Sequence, residues 1–149
     1  MKPTLRHLLI LSMALVSLST ASAADPAAAP VYHVMSDFPT LYPAAYKCWR
    51  QLLPSQFAGT SWLSQFAGGS SQIRPVNVGG ATMSYGAECE RDDCGANSVQ
   101  LLASADGSSV VALATLAGGD AVLIVGSPSP VELTCLKILD GDEGKVTSC

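Results

Sequence analysis

Cys89 and Cys94 bracket four residues, Glu90, Arg91, Asp92 and Asp93, a spacing at which two thiols can close a short loop around a charged tip. A loop pinned at its base loses little conformational freedom on entering another molecule's cleft, so the pattern suits an inserted probe better than a flexible connector. Arg91 can pair bidentately with a carboxylate and stays charged at any relevant pH. The acids from Glu88 to Asp93 crowd one exposed loop, with no walled cleft to separate their pKa values, so a hydrolytic pair is not expected there.

The compartment decides whether those thiols can pair. Lys2 and Arg6, an apolar stretch from Leu8 to Leu18 and then Ala21-Ser22-Ala23 have the form of a signal peptide over residues 1–23. The apolar stretch is short for a membrane span and no cysteine follows the cleavage site to take a lipid, so export in soluble form, to the periplasm, is expected. All five cysteines, Cys48, Cys89, Cys94, Cys135 and Cys149, would survive processing into a compartment where disulfides persist. Cys89 with Cys94 is the expected pair, stabilising by about 2 kcal/mol through loop closure. Connectivity among the others is open: Cys48 with Cys135 is the preferred second pair, Cys149 is expected free, and the odd thiol leaves room for a disulfide-linked homodimer.

Removing residues 1–23 from 149 leaves 126, enough for one domain with one core. Without Lys2 and Arg6, 6 basic residues face 12 acidic ones, a net charge of −6. That disfavours nucleic acid and anionic lipid and favours a basic protein partner. His33 would be the only histidine left, so neither a Ser-His-Asp set nor a zinc site is expected, and no cofactor is implied. Asp140-Gly141-Asp142-Glu143-Gly144 lacks the spaced acids and terminal Glu of a calcium loop and reads as a solvated turn.

Residues 24–35, rich in Ala and Pro, should form a mobile arm ahead of a single domain over 36–149, with His33 exposed and unpartnered. Ser36 or Asp37 can cap a helix with Pro39 in its first turn. Leu41, Ala45, Cys48, Trp49 and Leu52 recur at helical spacing before Pro54 ends it. A short helical stretch holds Trp62, Leu63 and Phe66, and Gly68-Gly69-Ser70-Ser71 breaks it. Val76 and Val78, then Met83, Tyr85 and Ala87, alternate around the hairpin signal Gly79-Gly80, so the cysteine loop joins two strands. Further strands are expected over Val99 to Ser104, Val110 to Leu116 and Ala121 to Val125, separated by Ala105-Asp106-Gly107 and Gly118-Gly119-Asp120. Ser129-Pro130-Val131-Glu132 has the form of a capping box opening a last helix through Leu139. The result is an α+β fold, an antiparallel sheet of about five strands packed against helices, with one face of the sheet covered. Trp49, Trp62 and Tyr85 could stack on sugars, but their spacing among apolar residues favours the core.

From roughly Leu52 to Leu116 the chain resembles the periplasmic inhibitors of vertebrate lysozyme, the Ivy family. The residues that carry this are Leu53-Pro54, Trp62, Pro75-Val76-Asn77-Val78-Gly79, Tyr85 and Cys89 to Gly95. The family's loop reads Cys-Lys-Pro-His-Asp-Cys before a strand; here the frame is CERDDC, with both cysteines and Asp93 matching. The resemblance implies a non-enzymatic protein with a central antiparallel sheet, helices on its convex side, and a loop that enters the lysozyme cleft, where the family's histidine engages the catalytic carboxylates. At the tip this chain departs: the family's Lys falls on Glu90, its Pro on Arg91 and its His on Asp92. An inserted Asp92 would meet like charge at a desolvation cost of several kcal/mol, so Arg91 is the better tip residue, with Glu90, Asp92 and Asp93 meeting a basic rim. A solvated turn shaped by Asp93 is the plainer reading of the same residues. The targets that fit are a host lysozyme, the cell's own lytic transglycosylases, or a secreted muramidase effector against which the protein gives immunity. Outside this class stands a non-inhibitory periplasmic binding module with a merely structural loop.

Overall fold

The structure is a computed structural model that describes residues 31–140 and 144–149. The expected signal peptide, the first part of the expected arm, and Gly141, Asp142 and Glu143 of the expected acidic turn lie outside the described residues.

A 3₁₀ turn over Met35–Asp37 leads into α1 (Phe38–Leu41) and α2 (Pro43–Leu52). One helix was expected here, but Pro43 has no N–H to continue α1, and it pushes Tyr42 out of the helical region (φ −129°, ψ 61°). A 3₁₀ turn (Ser55–Phe57) and α3 (Ser61–Ser64) follow. The strands are β1 (Gly69–Ser70), β2 (Arg74–Val78), β3 (Ala81–Cys89), β4 (Ser98–Ala103), β5 (Val110–Leu116) and β6 (Ala121–Val125), and α4 spans Pro130–Leu139. These six strands pair only antiparallel with one another, in the order β1-β3-β4-β5-β6, with β2 also pairing with β3. The β2–β3 hairpin turns through Gly79 and Gly80, both at positive φ (56° and 92°), the conformation a two-residue primed turn demands.

Both faces of the sheet are covered, not one. On one face Met35, Phe38, Trp49, Leu63 and Phe66 pack with Val99, Leu101, Ala112 and Ala114. On the other, Cys135, Leu136 and Leu139 of α4 pack with Val76, Met83, Tyr85, Leu102 and Val111. β4 and β5 are therefore buried on both sides, which is why Leu101-Leu102-Ala103 and Val110-Val111-Ala112 are continuous apolar runs with no alternation. Trp49 and Trp62 are core residues; Trp49 stacks on Phe66 and donates its Nε1–H to Leu63 O at 3.1 Å. Leu41 and Leu52, expected on the buried face of one helix, are instead exposed, each as the last residue of its helix, α1 and α2.

α4 opens with the expected capping box: Ser129 Oγ accepts from Glu132 N at 3.2 Å and Glu132 Oε2 from Ser129 N at 2.7 Å. Burial alone would raise the Glu132 carboxyl, but these bonds and one from Ser109 Oγ bring it below its usual value.

Three expectations are corrected. Cys48 does not pair with Cys135, because the two pack into cores on opposite faces of the sheet, out of reach of a disulfide. Cys135 bonds Cys149 instead, leaving Cys48 as the free cysteine. Cys149, expected free, is held for that bond: Asn77 N donates to Thr147 O and Cys149 N to Asn77 O, so the last residues run beside β2 and bring Cys149 to α4. Lastly, the arm does not extend through residue 35. Ile73 N donates to His33 O, Met35 N to Ser71 O, and Met35 is fully buried; His33 is exposed but its Nδ1 lies 3.6 Å from Asp37 Oδ2.

Candidate functional site

β3 and β4 end side by side at Cys89 and Ser98, their last paired residues, and the segment between them leaves the sheet as one compact loop. Cys89 and Cys94 are disulfide-bonded, with their Cα atoms 4.8 Å apart. Within the loop, Asp93 N donates to Glu90 O, Ala96 N and Asn97 N to Asp93 O, and Glu90 N to Asn97 O. Asp92 sits at the turn with φ +71°, a left-handed conformation that Asp tolerates better than most residues.

The tip acids are not equivalent. Asn97 Nδ2 donates to Glu90 Oε2 at 2.7 Å and to Asp93 Oδ2 at 3.1 Å, so one carboxamide gathers two carboxylates. Its Oδ1 accepts from Ala117 N at 3.0 Å, and Gly118 N donates to Ala96 O at 3.0 Å. The β5–β6 turn thus buttresses the loop from behind. Glu90 is half-buried; Arg91, Asp92 and Asp93 are exposed. Arg91 makes no hydrogen bond or ion pair among the described residues. The structure therefore separates the six expected loop residues into a locked base and rim (Cys89, Cys94, Glu90, Asp93) and an open apex (Arg91, Asp92).

Under the base lies a feature the sequence reading passed over. Gly68-Gly69-Ser70 does break the helical stretch, but Gly69 and Ser70 then pair with Cys89 and Glu88 as β1. A Cβ on Gly68 would fall 1.9 Å from Cys89 O, and one on Gly69 2.8 Å from Cys89 Sγ, so only glycine lets β1 lie this close to the disulfide. Glu88 is 1% exposed and clasps β1, accepting from Gly68 N and Ser70 Oγ, each at 2.5 Å. Desolvation pushes its carboxyl above the usual carboxylate range, against the pull of those two bonds and of the Arg91 charge.

Asn97 and the Ala117–Gly119 turn were also missed as parts of the site. The glycine pair did signal a turn, but its link to the loop joins residues 20 apart in sequence, which no local pattern reveals. Among the described residues no group of three or more His, Cys, Asp or Glu side chains could hold a metal ion, and no helix is long and apolar enough to cross a membrane. No protein-family model and no curated protein matches the chain.

Proposed function

We propose that this protein is a periplasmic, non-enzymatic inhibitor of a peptidoglycan-cleaving lysozyme or lytic transglycosylase, acting by placing the Cys89–Cys94 loop in the enzyme's cleft. The observation that carries the reading is the division of the tip: the disulfide and Asn97 hold the loop's shape, while Arg91 makes no hydrogen bond or ion pair among the described residues and touches the fold only through its charge on Glu88. A guanidinium presented this way can form a bidentate pair with a catalytic carboxylate, and a preformed loop gives up little entropy in doing so. Such enzymes work with one or two carboxyl groups in a cleft, and occupying one excludes substrate sterically and electrostatically. Glu90 and Asp93, already turned toward Asn97, would meet basic residues at the cleft's rim, in keeping with the acidic charge of the chain.

The test is a titration of the processed protein against a vertebrate lysozyme, a lytic transglycosylase and a secreted muramidase effector, following lysis of cell walls. The expected result is stoichiometric loss of lysis with at least one enzyme, abolished when residues 90–93 are replaced by a Gly-Ser repeat. The enzyme affected identifies the target class. Folded protein that inhibits none of them, yet is retained on purified sacculi, would replace this reading with that of a binding module.

A further inference from the structure

A second recognition feature lies on the α4 side of the sheet. α4 stops at Leu139, short of the sheet's disulfide end, and leaves the adjoining parts of β3 and β4 without a helix over them. By strand alternation and register, Tyr85, Ala87 and Cys89 share that face with Leu102, Gln100 and Ser98. The opening is a trough of about 510 Å³ with Ala87, Ser98 and Gln100 in its lining, bounded by Asp140, by Ser71 and by the disulfide. It shares Ser71, Tyr85 and Ala87 with a second hollow of about 370 Å³ that reaches Arg74.

Hydrogen bonding in the trough is incomplete in one direction. Gln100 is 4% exposed; its Nε2 donates to Asp140 Oδ1 at 2.6 Å, while its Oε1 accepts no hydrogen bond among the described residues. The Asp140 carboxylate fixes the amide's orientation, because the flipped amide would set oxygen against oxygen. A buried carbonyl oxygen without a donor is rare in folded proteins and calls for an explanation. Ser71 Oγ is already an acceptor, from Ala87 N at 2.7 Å, and the Tyr85 hydroxyl donates to Leu139 O. The acceptors left near the disulfide are the Asp140 carboxylate and Gln100 Oε1. The cation at the far end, Arg74, is engaged with Val146 O and lies over the Tyr85 ring, 5.0 Å from its centroid.

We infer that this trough receives a basic side chain, a guanidinium or ammonium group, from the protein partner that takes the Cys89–Cys94 loop. The charged head pairs with the exposed Asp140 carboxylate, a small shift of the Gln100 side chain turns its buried Oε1 to accept from the same head, and the aliphatic stem lies over Ala87. Charge complementarity selects this occupant, since a cationic donor is what a carboxylate beside an orphaned carbonyl requires and what an acidic chain attracts. The disulfide forms one wall, so loop and trough face one partner together. The inference deepens the proposed function and rests on it only for the partner's identity.

The probe is ethylguanidinium, titrated into the processed protein and followed by two-dimensional NMR, with ethylurea as its neutral counterpart. Saturable shifts are expected at the Gln100 side-chain amide and at Ala87 and Ser98, absent with ethylurea. In Asp140→Asn the binding should weaken about tenfold, and in Ala87→Leu, which fills the floor and removes no charge, it should be lost. No saturable shift at these positions in folded protein, equal binding of ethylurea, or unchanged binding in Asp140→Asn would each overturn the inference. Against a hydrolase that the loop inhibits, Asp140→Asn should weaken inhibition about fivefold. If no hydrolase is inhibited while the probe still binds through Asp140, the proposed function fails and the trough stands.

Discussion

The two disulfides divide the molecule's work. Cys135–Cys149 joins the fully buried face of α4 to a C-terminal segment paired with β2, closing a loop of 14 residues' separation inside the core. Cys89–Cys94 closes a separation of 5 at the tip of the sheet, with Cys94 exposed. Loop-closure entropy assigns about 3 kcal/mol to the first and about 2 to the second, and only the first also carries core packing. One crosslink holds the fold, and the other holds a shape at its edge. Stability and recognition should therefore be separable by mutation.

The largest effect tests the core side of that contrast. Cys135→Ala with Cys149→Ala should lower unfolding free energy by about 3 kcal/mol or more in denaturant titration, while any inhibition by the folded fraction stays unchanged. Cys89→Ala with Cys94→Ala should lower stability by about 2 kcal/mol at most, yet weaken inhibition at least tenfold because the tip is no longer preformed. Equal losses of stability, or unchanged inhibition in the second variant, would erase the distinction.

Smaller changes sharpen it. Asn97→Ala removes the amide shared by Glu90 and Asp93 and should destabilise by about 1 kcal/mol, with faster amide exchange confined to the loop and the Ala117–Gly119 turn. Ser129→Ala should cost a similar amount, about 1 kcal/mol, by uncapping α4, with no effect on the loop.

Two carboxyls give pH signatures of opposite sign. Glu88 has a folded pKa above 4.5, so its stabilising contribution is complete below that pH and is lost as pH rises through the folded value. Glu132 has a folded pKa below 4.5, so its contribution is present above that pH and is lost as pH falls through the folded value. Stability measured against pH should therefore shift in favour of Glu88→Gln, relative to the unmutated protein, as pH rises. For Glu132→Gln the shift should favour the variant as pH falls.

Local chemistry made the strands, the Gly79-Gly80 hairpin, the capping box and the Cys89–Cys94 loop legible from sequence, since each is set by neighbours within a few residues. What escaped was set by tertiary placement. Cys48 and Cys135 are both apolar-face cysteines on helices, and nothing in their spacing says that the sheet lies between them. The unbroken apolar runs of β4 and β5 are the sequence mark of two covered faces, although a run of that length is equally compatible with any buried strand. Asn97 resembles any loop asparagine until the β5–β6 turn is brought against it, and Glu88 resembles any tip acid until β1 closes over its carboxylate.

The central claim is that Arg91 is free for a partner while its neighbours hold the loop's shape, and substitution at that residue tests it most directly. Arg91→Ala and Arg91→Lys should each keep the unmutated protein's stability within about 0.5 kcal/mol. Against an inhibited hydrolase, Arg91→Ala should lose about 30-fold or more in affinity, with Arg91→Lys intermediate because an ammonium keeps the charge but not the bidentate geometry. Inhibition that persists undiminished in Arg91→Ala would contradict the account.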